Sequence, residues 1–160
     1  RGGPRLQWRQ RPALARLLGL CLVLLAFLAA SGAVNALGDT LFPSESLAEG
    51  IAQDQSATAH IFIKLRVWHP VLALVIGVIC IVSASSCRTR LPSSVGVDRW
   101  ALHLQTLVIV QLLFGLLNLI MLAPVWAQII HLLLADLLWL SLVFLTAHAL
   151  SDPLDPITDG

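Results

Sequence analysis

Three stretches of the chain, 17–38, 67–87 and 100–135, contain no Asp, Glu, Lys or Arg. A helix needs roughly 20 apolar residues to cross a hydrocarbon core about 30 Å thick, so each of the first two supplies one crossing. The third, continuing past Asp136 to Ser151, is too long for a single helix. Pro124 sits where a tight turn would divide it, because proline cannot extend the preceding hydrogen-bond ladder yet suits the first turn of the next helix. Four spans follow, at 17–37, 67–87, 100–122 and 125–150. They are joined by a basic segment 1–16, a loop 38–66, a basic loop 88–99 and a tail 151–160. With 58% of 160 residues hydrophobic and 12% charged, a soluble domain is excluded. The expected fold is all-α, an integral membrane four-helix bundle.

An Arg-rich start before 17–30 also resembles a secretory signal. The apolar stretch continues through Ala33, Val34 and Leu37, however, and three more spans follow, which favours a retained helix. The first residue is Arg1 rather than Met, as expected of a processed product or a piece of a longer protein.

Basic residues collect on the cytoplasmic side of membrane proteins. Arg1, Arg5, Arg9, Arg11 and Arg16 precede the first span, and Arg88, Arg90 and Arg99 lie between the second and third. The loop 38–66 instead carries Asp39, Glu45, Glu49 and Asp54, with Lys64 and Arg66 as exceptions. Both termini are therefore expected in the cytoplasm and the long loop outside. Trp68 and Trp126 then fall at the outer interface and Trp100 at the inner one, where indoles prefer to sit. A net charge of +1 makes the Arg cluster a topology signal contacting lipid head groups and gives no support to nucleic-acid binding. Cys21, Cys80 and Cys87 show no CxxC spacing, so neither a structural disulfide nor a zinc site is expected. Within the loop, Pro43, Ser44 or Ser46 can open a short helix whose Leu47, Ala48 and Ile51 share one side.

Polar residues inside a bilayer are costly and need a partner or a function. His69 and His131 lie at similar depths below the outer ends of the second and fourth spans, at about 1.5 Å of rise per residue. Two neutral imidazoles facing each other at one level are what a bis-histidine heme requires. Val71, Leu72, Val75, Leu132, Leu133 and Ala135 would form apolar walls. Taken singly, each histidine can equally be a hydrogen-bonded packing or interfacial residue, and a scaffold without cofactor remains an alternative. His103 and His148 form a second matched pair near the inner ends, compatible with a stand-alone di-heme electron-transfer cytochrome or with plain solvation. His60 falls in the loop and could contact a propionate, water or only solvent.

Asp136 lies near mid-membrane, and pairing about Pro124 puts Gln111 at nearly its depth. The expected arrangement is a buried hydrogen bond between them that fixes helix register, with the acid protonated; a proton relay is the alternative reading. Asn118 falls near the level of His131 and could orient its ring. Neither a nucleotide-binding loop nor a Ser-His-Asp pattern is present, so side-chain catalysis alone is not expected.

Four linked segments carry a family resemblance. They are Ala36-Leu37-Gly38-Asp39-Thr40-Leu41-Phe42-Pro43, Leu65-Arg66-Val67-Trp68-His69-Pro70, LLFGLLNLIMLAPVW at 112–126, and His131-Leu132-Leu133-Leu134-Ala135-Asp136-Leu137-Leu138-Trp139. Over roughly 19–152 the chain resembles heme A synthase, the cytochrome oxidase assembly protein. That family joins two similar four-helix bundles, each with a histidine pair on its second and fourth helices. The resemblance implies that His69 and His131 are axial ligands of heme iron. It also implies which half this is. The catalytic glutamate one turn before the first ligand histidine is replaced by Leu65, and no cysteine pair occupies the outer loop. Both departures match the C-terminal half, which retains heme b as cofactor. The implied reaction is oxidation of the C8 methyl of heme O to the formyl of heme A. One bundle alone is not expected to complete it, so a second four-helix bundle is the implied partner, whether a missing N-terminal half, another chain or a second copy.

Overall fold

The computed structural model describes residues 9–55, 61–91 and 94–151. These residues form five helices: α1 Pro12–Leu41, α2 Leu47–Gln55, α3 Ile61–Arg90, α4 Val95–Ile120 and α5 Val125–Leu150. Stretches Pro12–Leu41, Val67–Arg90, Val95–Ile120 and Val125–Leu150 are long and apolar enough to cross a membrane. The four long helices alternate in direction and close a ring in which α1 packs on α3, α3 on α4, α4 on α5, and α5 back on α1. The result is an integral membrane four-helix bundle with the short α2 lying against α3. Leu113, Leu132 and Val23 are 62%, 63% and 66% exposed, as suits a surface that faces lipid rather than water.

Lipid thickness sets the apolar length of a span, but a helix continues until its backbone ladder is interrupted. The helices accordingly overrun the expected spans. Pro12 opens α1 at its first turn, and α1 ends just short of Pro43. Helix α3 begins at Ile61 and runs through Pro70. Pro70 lies inside this helix without ending it: proline lacks only its own N–H, and the ladder closes on either side of it. At the head of α2, the Ser46 hydroxyl accepts from the Glu49 N–H at 3.2 Å, an N-cap at one of the positions proposed from sequence.

Between α4 and α5 the turn is tight. Leu122 and Ala123 take left-handed φ values of 60° and 52°, the Ala123 N–H donates to the Asn118 carbonyl at 2.8 Å, and the Gln128 amide donates to the Ala123 carbonyl at 2.5 Å. Pro124 follows as the cap of α5.

Packing is uneven along the bundle axis. At the end where α1 starts and α5 finishes, Arg11 Nη1 donates to the Ala149 carbonyl at 2.7 Å. There Leu18, Cys21, Cys80, Ala84, Cys87, Ala101, Leu104, Leu142 and Leu145 are fully buried. Small side chains let these helices approach closely, and sparse polar contacts lock them. Cys21 donates to the Ser83 hydroxyl at 3.2 Å, and the Gln105 amide to the Ser85 hydroxyl at 2.8 Å. Past Ile76, Val108 and Leu138 burial falls away, and among the described residues Gly38 and Ala127 are the buried ones beyond that level. The bundle therefore has a closed half and an open half.

Leu142→Ala in the closed half is expected to lower stability in detergent by about 2–5 kcal/mol, against less than about 0.5 kcal/mol for the exposed Leu113→Ala; thermal unfolding of both variants checks this. Ala123→Gly removes a left-handed alanine and is expected to raise the same stability by about 1 kcal/mol.

Candidate functional site

The open half holds both outer histidines. His69, on α3, meets α1 through Ser31, whose hydroxyl oxygen lies 2.9 Å from His69 Nδ1. The one proton of Ser31 is already committed to the Leu28 carbonyl at 2.8 Å, so Ser31 accepts from an Nδ1–H. That bond selects the tautomer and leaves the lone pair on Nε2. Beneath the ring lies Gly32, where an added Cβ would stand 3.0 Å from His69 Cε1.

His131, on α5, meets α4 in the corresponding way. The Gln111 amide nitrogen lies 3.1 Å from the His131 carbonyl oxygen and 3.2 Å from His131 Nε2. The carbonyl demands a donor, which fixes this atom as the NH2 group and makes Nε2 the acceptor. Gly115 underlies the ring, where a Cβ would come within 3.1 Å of His131 Cε1, and Phe114 stacks beside it at 6.4 Å between centroids. Each histidine thus presents Nε2 as the nitrogen free of a proton.

The two corners repeat one another. On α1, Leu28, Ser31, Gly32 and Asn35 share a face; on α4, Gln111, Phe114, Gly115 and Asn118 do so at the same spacing. Each first helix gives a glycine ledge and an asparagine, Gly32-x-x-Asn35 and Gly115-x-x-Asn118, and each second helix gives a histidine. Sequence reasoning missed Ser31, Gly32, Asn35 and the Gln111 contact, although the repeated Gly-x-x-Asn was there to find. Among the described residues, four buried polar atoms of this half have no hydrogen-bond partner: Asn35 Oδ1, Gln111 Oε1, Asn118 Oδ1 and His131 Nδ1. They belong to α1, α4 and α5. Leaving such atoms unsatisfied costs roughly 1–3 kcal/mol each.

Comparison with known sequences bears on what this region serves. The profile of the family described as cytochrome oxidase assembly protein matches residues 3–143. The chain belongs to that family. Two relatives, each called protoheme IX farnesyltransferase, come from two strains of Thermus thermophilus, and each is 43% identical over 149 residues. The match takes in 93% of this chain but 24% of either relative, so the chain spans about a quarter of their length. No solved structure matches.

Other residues of this family member are placed differently from expectation. Asp136 is exposed on the outside of α5, and the expected buried bond to Gln111 is absent because Gln111 turns to His131 instead. Five residues of α5 separate His131 from Asp136, about 140° of helical rotation, so the two cannot share a face. Asn118 shares the face beneath His131 without bonding to it; Gln111 takes the orienting role. The inner histidines do not oppose each other. Both are exposed; His148 lies over Gly96, whereas His103 sits beside Trp100 at 5.4 Å, and seven residues of α4, about 10 Å of rise, separate Gly96 from His103. Leu65 lies within α3 one turn before His69. His60 falls outside the described residues.

If Ser31 selects the His69 tautomer, nitrogen-15 NMR of labelled histidine should show His69 protonated at Nδ1 alone. Ser31→Ala should populate both tautomers while His131 keeps its signals; an Nε2–H tautomer in the parent protein would contradict the assignment.

Proposed function

We propose that this chain holds one heme b between His69 and His131 and forms the cofactor-heme half of a heme A synthase-type oxidase, supporting oxidation of heme O to heme A for cytochrome oxidase assembly. The observation that carries the reading is a pair of half-buried imidazoles in the loosely packed half of the bundle, one from each helical hairpin, with the Nε2 of His69 and, beneath the Gln111 amide, the Nε2 of His131 as the lone-pair nitrogens. Two such nitrogens are the donor set of a six-coordinate heme iron.

The surroundings fit the same group. Glycine ledges at Gly32 and Gly115 let the rings lie close to the helix backbones. The orphaned polar atoms suit a ligand with both apolar and polar edges, and Phe114 adds an apolar wall. By their names the Thermus relatives act on protoheme IX, which keeps the comparison within heme chemistry. With the basic segments in the cytoplasm, the site lies toward the outer face of a bacterial plasma membrane.

A heme in this position supplies one-electron transfer at its iron. The protein's part is to hold and orient the ligands. Ser31 keeps the His69 proton on Nδ1, which leaves the opposite nitrogen basic. Gln111 shields His131 Nε2 until a stronger acceptor of that lone pair replaces it, and its second bond, to the His131 carbonyl, ties α4 to α5. Leu65 can neither give nor take a proton. The oxidation is therefore assigned to a second four-helix bundle, and this chain to electron transfer or support.

Expressed with ample heme and purified, the chain is expected to show a low-spin spectrum and one heme per chain. His69→Ala and His131→Ala should each lower retained heme at least as much as the roughly tenfold that loss of an outer-shell partner brings. Heme content unchanged in both variants would overturn the assignment.

A further inference from the structure

In the closed half, the packing of α1 on α3 brings two thiols together. Cys21 stands nine residues after the start of α1 and Cys80 ten before the end of α3, roughly 14 and 15 Å from the same end of the bundle, so the two lie level. Both are buried. The Cys21 sulfur is 3.2 Å from the Ser83 hydroxyl, which follows Cys80 by one turn on the same face of α3, and it is within hydrogen-bonding reach of the Cys80 thiol. Cys87 shares that face two turns further on, roughly 10 Å from Cys80 along the axis. The histidine corners use none of these residues.

We propose that Cys21 and Cys80 are a peroxide-sensitive pair that closes into a disulfide between α1 and α3. Sulfur is nucleophilic as the thiolate, and donors aimed at it favour that form. Cys21 has two such neighbours, the Cys80 thiol and the Ser83 hydroxyl, whose proton is free to rotate toward it. Cys21 therefore attacks first. Its sulfur takes one oxygen of hydrogen peroxide as the O–O bond breaks, and its proton leaves with the departing hydroxide as water. Cys80 then attacks the Cys21 sulfenic acid, the S–S bond forms, and the sulfenic hydroxyl leaves with the Cys80 proton as a second water. Each sulfur gives up one electron, and each peroxide oxygen gains one. Size selects the reagent: peroxide is uncharged and little larger than water, so brief helix separations admit it. The peptide thiols and oxidoreductases that reduce disulfides elsewhere cannot reach a bond enclosed by the bundle. The bridge thus persists once made, and it fastens the α1 of Ser31 to the α3 of His69. The proposal does not rest on heme binding.

The test uses the full chain, without heme, in lipid vesicles. After treatment with hydrogen peroxide it is unfolded in detergent and labelled with a maleimide polymer that counts free thiols by gel shift. The parent should fall from three free thiols to one, with a mass loss of two hydrogens, and a dithiol reductant should restore all three. Peptide mapping should join the Cys21 and Cys80 segments. Cys87→Ser should fall from two free thiols to none, whereas Cys21→Ser and Cys80→Ser should each keep both of theirs over the time in which the parent closes its pair. A parent that keeps all three thiols in vesicles but loses them once unfolded, a bridge that includes Cys87 or joins two chains, or thiol loss that the reductant does not reverse would each overturn the proposal.

Discussion

In a bilayer, hydrocarbon covers a leucine as well as another helix does, so apolar burial does not gather helices as it does in water. What holds α1, α3, α4 and α5 together is close approach at small residues and a few polar contacts made where no water competes. Both are concentrated in one half of this bundle. Ala84, Ala101 and Ala149 are fully buried there, and Gly77 brings α3 so near α4 that a Cβ would stand 3.1 Å from Val108. In the other half fewer side chains are buried, and among the described residues Ser31 with His69 and Gln111 with His131 bridge the helices. Loose packing in a protein interior is a loss of dispersion energy. Here it coincides with the placement of polar side chains that no other part of the fold uses.

The duplication of glycine, asparagine and histidine across two hairpins gives that region an approximate two-fold arrangement. On the proposed function, a planar ligand with one metal at its centre would meet one such corner on each side. The chain is a member of the cytochrome oxidase assembly protein family, and its match takes in 24% of the Thermus relatives.

Much of the architecture was legible from residue patterns alone. Uncharged runs located the four spans, Pro124 located the last turn, and Ser46 was among the residues proposed to open the short loop helix. Depth along a span can be counted from residues at a fixed rise. Azimuth was harder. Asp136 and Gln111 share a depth, yet five residues of rotation turn Asp136 away from the face that carries His131. The inner histidines failed in the opposite manner, since similar distances from helix ends did not bring His103 level with His148. At Pro70 the surrounding apolar helix continues through a residue that usually marks a boundary. None of the contacts to Ser31 or Gln111 could be read before the helices were placed side by side.

The contrast between the two halves makes the bundle resemble a clothes-peg, gripped at one end and able to spread at the other. Resistance to opening should rise from the loop end toward the chain termini, because cooperative contacts accumulate in that direction.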